Sequence, residues 1–507
     1  MLSKITSYTL QGLEGLPVDV EVDISRGMPK FDIVGLPDTA VKESKERVRA
    51  AIKNSGKSFP VAVITVNLAP ADIKKEGSKL DLAIALSLIR ATEAGMEVPV
   101  DKTVVLGELS LDGAVRSVTG VLPICLSAKA MGYKTVIIPK ANEEEASYVD
   151  GIEIIAVSNL NEAVNYFKGE NVTPTIPKTF VAPKEEEYRN DLKYVKGQFI
   201  AKRALEIAVS GGHNILMVGA PGAGKTMLAK CIPSIMPDMT FDEVLETTAI
   251  HSVVGSLSTQ DGIVKIRPFI CPHHTATRVA LIGGSGNALP GLVSLANNGV
   301  LFLDEMPEYP RSVLECLRQP IEDGVITVSR AKGSNNYPAR FMLCASMNPC
   351  PCGNYGSENA ECKCSDSQIR KYRARISGPL LDRIDLQIHV DNVKYDDLVS
   401  TDTEEPSKNV RQRVNIARKI QRERFREDGI RTNAEMGERE LKKYCQLSSE
   451  DEQLFKKSFE ALRLSARGRS RILKVARTIA DLDYSEQIQK KHLLEAISYR
   501  SFDVTEQ

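Results

Sequence analysis

The chain has 507 residues, 42% hydrophobic and 26% charged, with 66 basic side chains against 66 acidic ones. That composition is ordinary for soluble globular protein, and at roughly 100–200 residues per domain the length predicts two to four domains. Zero net charge excludes bulk electrostatics as a source of nucleic-acid or membrane affinity, so any basic surface must be local.

The opening MLSKITSYTLQGLEG has no apolar h-region, which predicts no secretory signal. Apolar runs such as VAVIT (61–65) and GVLFL (299–303) fall far short of the ~20 residues of a membrane span. Ten cysteines without a secretory framework fit a reducing cytoplasm, as thiols or metal ligands. Residues 1–168 alternate strand and helix signals. AVITVNLAP (62–70) and KTVIIPK (134–140) are β-rich, whereas KLDLAIALSLIRAT (79–92) and LPICLSAKAMG (122–132) carry helical periodicity. Residues 169–191 are proline- and charge-rich and read as a linker. A second α/β block spans 192–390, and 391–507 reads as helical and heavily charged.

Within the second block, VGAPGAGKTML (218–228) fits G-x-x-x-x-G-K-[ST] between an apolar strand and a helix. Gly219, Ala220, Pro221, Gly222, Ala223 and Gly224 would turn backbone N–H groups toward phosphate at a positive helix end. Lys225 would reach the terminal phosphates, Thr226 would face Mg²⁺, and Met227 opens the helix. The acidic pair that hydrolysis needs follows the strand in GVLFLDEMPE (299–308): Asp304 to hold Mg²⁺ and Glu305 to polarise the attacking water. A third strand, ARFMLCASMNP (339–349), ends in Asn348, suited to orient that water.

These segments, with SGPLLDRIDL (377–386), resemble the magnesium-chelatase-like branch of the AAA+ ATPases. RPFICPHHTATRVALIGG (267–284), NGVLFLDEMPE and SARGRSRILKVARTIADL (465–482) resemble the ComM/YifB family more closely, over nearly the whole chain. The resemblance implies an AAA+ P-loop NTPase core with a helical lid, preceded by an α+β Lon-protease-like domain of the ribosomal S5 type. It implies a hexameric, ATP-promoted ring, and a DNA helicase of branch migration in homologous recombination or natural transformation. By position it makes Arg383 the arginine finger reaching a neighbouring subunit's nucleotide and Arg467 the second sensor, with Arg469 and Arg471 as near competitors. It sets Gly197 and Gln198 beside the adenine.

LGELSLDGAVRSVTGVLPICLSAKAMGYKTVIIPKANEEE (106–145) resembles the proteolytic domain of Lon. Lys79 stands at the nucleophile's place with Ser78 one position early, and Leu122 falls near the lysine's place, so residues 1–168 are expected to be a catalytically inactive scaffold. Cys350, Cys352, Cys362 and Cys364 form two C-x-C pairs nine residues apart, able to hold a structural Zn²⁺ or to form a loop of reduced thiols.

For DNA, the roughly eighty residues between Lys225 and Asp304 leave room for an insertion within 251–284 that resembles the family's helix-2 insert. GVITVSRAKGSNNYPARF (324–341) reads as a hairpin with Arg330 and Lys332 near its tip, facing the pore or merely solvated. RKYRAR (370–375) and the helical arginines Arg411, Arg418, Arg422 and Arg426 are denser in charge and open to either reading. No base-reading motif is visible, so binding to branched or single-stranded DNA should be sequence-independent. His273 and His274 fit a packing role better than a metal site. A chelatase-like remodelling chaperone acting on a protein partner is the competing function, and an ATP-dependent protease is disfavoured by the missing dyad.

Overall fold

Strand alternation organises the N-terminal region: in Glu14–Ser25 the residues Val18, Val20 and Val22 are fully buried while Asp19 and Glu21 are not. The computed structural model describes all residues except 1, 94, 97–99, 171, 183–187, 259–260, 285–287, 331–332, 357–359, 394–403, 462–464 and 501–507, and not the side chains of Val100 and Arg330. Two compact units emerge, one of residues 1–181 with 241–264 and one of 182–240 with 265–507.

The first unit holds β1 (Leu2–Gln11), β2 (Glu14–Ser25), β3 (Lys30–Val34), β4 (Val63–Ala69), β5 (Thr103–Val105), a small hairpin of β6 (Glu108–Leu109) and β7 (Val115–Arg116), β8 (Thr135–Pro139) and β9 (Glu153–Val157). Seven of them form a mixed sheet in the order β3-β4-β2-β1-β5-β8-β9. Alternate residues feed two separate apolar clusters. Ile5, Val105, Ile137 and Ile155 pack with the helix Asp81–Thr92, whereas Tyr8, Val104, Val136 and Ile154 pack with Val121–Ala130. This sheet is therefore covered on both faces, unlike a half-solvated antiparallel one.

The helix Phe241–Val254 joins this unit through Ala249 and Leu245. Gly120 N–H bonds the Ser252 carbonyl at 3.1 Å, and the Ser252 hydroxyl donates to Glu145 at 2.8 Å. Within 251–284, the stretch up to Val264 belongs to this unit, while Phe269–Ile270 is a sheet strand of the second.

The second unit contains β10 (Ile215–Val218), β11 (Phe269–Ile270), β12 (Val300–Leu303), a hairpin of β13 (Val325–Arg330) with β14 (Gly333–Pro338), β15 (Met342–Met347) and β16 (Leu386–His389). Its five-stranded sheet is parallel throughout, in the order β11-β12-β15-β10-β16. Every residue of β10, β12 and β15 is buried, as expected where helices cover both faces.

The C-terminal helices Ser407–Arg424, Glu438–Tyr444, Ser449–Ala461, Ala466–Leu482 and Lys490–Ser498 share one core with these strands. A buried charge knot pins them: Arg477 and Arg424 both pair with the fully buried Asp481, to which Asn433 Nδ2 also donates at 2.8 Å. Among the described residues no helix is long and apolar enough to cross a membrane.

Candidate active site

In a parallel sheet the loops after the strands converge at one edge, and that is where this chain concentrates polar side chains. Val218 of β10 lies beside Met347 of β15, and Leu303 of β12 beside Ala345. The three strand ends thus deliver the phosphate loop, the Asp304–Glu305 pair and Asn348 to neighbouring positions.

The loop from β10 to the helix Lys225–Ile235 needs its glycines for two different reasons. At Gly219 a Cβ would stand 2.2 Å from the Val390 carbonyl oxygen, so the strand end is too close to its neighbour for any side chain. Gly222 and Gly224 adopt φ of +82° and +93°, conformations costly for L side chains, and a Cβ at either would meet nothing within 4 Å. Open space above a turn of this kind, at a helix N-terminus, suits an anion.

Lys225 lies under the loop, its ammonium donating to the carbonyls of Gly219 (2.6 Å) and Ala220 (2.8 Å) and to Asn348 Oδ1 (3.2 Å). Burial pushes this ammonium below the ordinary lysine value, while Asp304 and Glu305 oppose the shift. Thr226 Oγ1 donates to Asp304 Oδ2 at 2.9 Å, and Met227 is partly exposed just beyond. Glu305 takes the left-handed conformation at φ +52°, an unusual state for a non-glycine residue that turns its side chain out of the strand line.

The sequence reading passes over Ser346. Its hydroxyl donates to Asp304 Oδ1 at 2.5 Å and accepts the Glu305 N–H at 3.1 Å, fixing both acids from the adjacent strand. The signal available was register: a serine inside an otherwise apolar strand, one residue past the neighbour of Leu303.

Gly197 and Gln198 stand beside this loop. Gln198, at φ +56°, donates to the Ala223 carbonyl at 3.3 Å and to the Asp391 carbonyl at 2.5 Å. Gly197 N–H binds Glu404, which also pairs with Lys202 at 2.7 Å.

Arg383 is held differently. It is 8% exposed, donates to the Pro379 carbonyl at 2.6 Å and pairs with Glu322. That hydrogen bond, supported by Arg467 and Arg471, keeps the Glu322 carboxyl below its usual range. Arg467 is exposed at the start of Ala466–Leu482, whereas Arg471 is tied to the buried Asp385. Asp385 is driven upward by burial but held far below the carboxylate range by Arg471 and His213.

The Sγ atoms of Cys350, Cys352, Cys362 and Cys364 all lie within 4.8 Å of one another. Cationic groups expected to face DNA are largely engaged within the chain. Arg411 pairs with Asp238, Arg418 donates to the Val209 carbonyl, Arg422 to the Asp238 carbonyl and Arg375 to Glu308, while Arg426 is exposed. Lys332 and the Arg330 side chain lie outside the described residues. His273 bonds Thr275 and stacks on His274 with ring centroids 4.1 Å apart.

In the first unit the Ser78 hydroxyl donates to Glu108, the buried Lys79 ammonium faces the Thr119 carbonyl at 3.5 Å, and Leu122 is fully buried. Burial lowers Lys79 to about 8.

Comparison with known proteins agrees with this architecture. Residues 191–398 match the family profile described as magnesium chelatase, subunit ChlI; residues 20–142 match subunit ChlI of Mg-chelatase; residues 404–500 match its C-terminal region. The uncharacterized protein YifB of Escherichia coli is 42% identical over 504 residues, covering 99% of this chain and 97% of that protein. Competence protein ComM of Haemophilus influenzae is 42% identical over 506 residues, with the same coverage of both chains. Lon protease 2 of Bacillus subtilis is similar over 165 residues at 30% identity, covering 30% of this chain and 29% of that one.

Proposed function

Because this chain belongs to the ComM/YifB family of magnesium-chelatase-like AAA+ proteins, we propose that it is a cytoplasmic ATP-driven ring motor, a hexamer that moves branched or single-stranded DNA. The observation that carries the reading is the convergence of Lys225, Thr226, Asp304, Glu305 and Asn348 on one sheet edge. The residues fit the nucleotide and its metal: an open cradle above Gly222 and Gly224, and two hard oxygen donors, Thr226 Oγ1 and Asp304 Oδ2, 2.9 Å apart.

Bound Mg²⁺ would neutralise charge on the phosphates. Within that frame Lys225 exchanges its loop carbonyls for phosphate oxygens, and Glu305 accepts a proton from the attacking water. Asn348 orients that water, and Ser346 keeps the two acids in register. Arg383 supplies its guanidinium to the site of an adjoining copy, where charge spreads in the transition state. Within one chain Arg383 is buried against the Pro379 carbonyl and paired with the exposed Glu322, so reaching a neighbour requires that pair to open. Such sharing would turn hydrolysis into relative motion of subunits.

The first unit serves as a scaffold for assembly or substrate docking. Ser78 is bonded to a carboxylate rather than to an amine, and Leu122 offers none. The four cysteines are read as a structural zinc site.

A remodelling motor acting on a protein partner is favoured by one observation: all three family profiles are described by a chelatase subunit. Since the N-terminal match is among them, the presence of that domain does not separate the two readings. ATPase rate with and without four-way junction DNA does. Stimulation supports the DNA motor, and indifference to DNA with stimulation by a protein partner supports the other.

A further inference from the structure

We propose that the cysteine cluster is a zinc-dependent brace on the phosphate-binding loop, so that metal loading sets how tightly the nucleotide site is held. The inference rests on the zinc and ATP-site readings above.

The sulfur geometry favours a metal. Cys350 Sγ lies 3.3 Å from Cys352 Sγ and 3.7 Å from Cys362 Sγ, and Cys352 Sγ lies 3.7 Å from Cys362 Sγ. A tetrahedron with Zn–S of about 2.3 Å has S···S edges of about 3.8 Å, whereas a disulfide needs about 2.05 Å. Tyr355 N–H points at Cys350 Sγ at 3.3 Å, the kind of backbone donor that stabilises a metal-bound thiolate. Four thiolates this close repel one another unless a cation lies among them. With every position taken by protein, the ion would be structural, and loading it releases the protons the thiols carry.

The cluster's position gives it consequences. Only Pro349 separates Cys350, which is fully buried, from Asn348, the residue that meets Lys225. One residue beyond Cys352, Gly353 takes φ +84° and approaches the phosphate loop so closely that a Cβ would lie 2.5 Å from Pro221 Cδ. The knuckle therefore touches the ATP site twice, through Asn348 on Lys225 and through Gly353 on Pro221. Arg373 fastens its outer side, donating to the Pro349 carbonyl at 3.4 Å with its guanidinium over Tyr355. Cys352 is exposed and Cys362 and Cys364 are only half-buried, so burial does not hold these three in place and the metal would.

The test uses the full-length chain. Elemental analysis of protein purified without chelator should give one Zn²⁺ per chain, and Co²⁺-reconstituted protein should show the absorption bands of tetrahedral thiolate ligation. Wild-type protein that takes up neither ion would overturn the zinc reading itself. Cys352→Ser with Cys364→Ser should lose the metal and weaken ATP binding about tenfold or more, as should chelation of the wild type, reversed by adding zinc. Gly353→Ala keeps all four ligands, so it should retain zinc yet also bind ATP several-fold more weakly. Wild-type nucleotide affinity in zinc-loaded Gly353→Ala, or in wild-type protein stripped of zinc by chelation, would refute the brace while leaving the metal site and the ATPase standing. Circular dichroism checks that each variant is folded.

Discussion

Asp304 carries two hydrogen bonds, one from Thr226 at the start of the helix after the phosphate loop and one from Ser346 on the next strand. Removing the second leaves a carboxylate free to rotate, and a charge-assisted hydrogen bond contributes about 1.5–3 kcal/mol. Ser346→Ala should therefore lower kcat about tenfold or more while ATP affinity changes little; an equal loss in both would mean that Ser346 acts through binding. Glu305→Gln should bind ATP normally and hydrolyse it at least ~100-fold more slowly, read in single-turnover assays. Brisk turnover would assign the base to another residue. The lysine, threonine and acidic pair were readable because their spacing is local. Ser346 was not, because its partner is 42 residues away and its own strand looks like plain core. Glu322 escaped notice for the same reason, lying 61 residues before Arg383.

Among the elements, the parallel strands and the phosphate loop were legible from apolar runs ending in turn residues. The helix Phe241–Val254 was not, since nothing in its composition tells which core it joins. The arginines of Ser407–Arg424 likewise offered a basic helix to the eye, yet several of their partners lie some 170–210 residues back in the chain. The docking of Phe241–Val254 carries a pH dependence. Burial raises Glu145 to about 7, against the hydrogen bonds from Ser252 and Asn142. A carboxyl whose folded value is raised stabilises the fold fully below its unfolded value of about 4.5, and that contribution disappears as pH climbs through 7. Going from about pH 5 to pH 8 should thus cost the wild type about 2 kcal/mol that Glu145→Gln does not lose. Thermal unfolding of both proteins across that range measures the difference, and parallel pH profiles would show that Glu145 is not the titrating group.

For the whole molecule, the full-length match to ComM and YifB fixes the family, and the proposed ring rests on that kinship, which assigns Arg383 to a neighbouring copy's site. Arg383→Ala and Lys225→Ala should each be nearly inactive alone. Mixed, they should regain part of the ATPase, because some interfaces pair an intact loop with an intact arginine. Absence of rescue at every ratio, with mixed oligomers verified by mass, would count against a shared site.

The central claim is that neighbouring copies complete each ATP site. Its most direct test is ATPase rate per chain against chain concentration, recorded with oligomer mass and with or without four-way junction DNA. The account predicts a rate per chain that climbs steeply as rings assemble and climbs further when DNA is added. A monomer hydrolysing ATP at the same full rate at every concentration would contradict it.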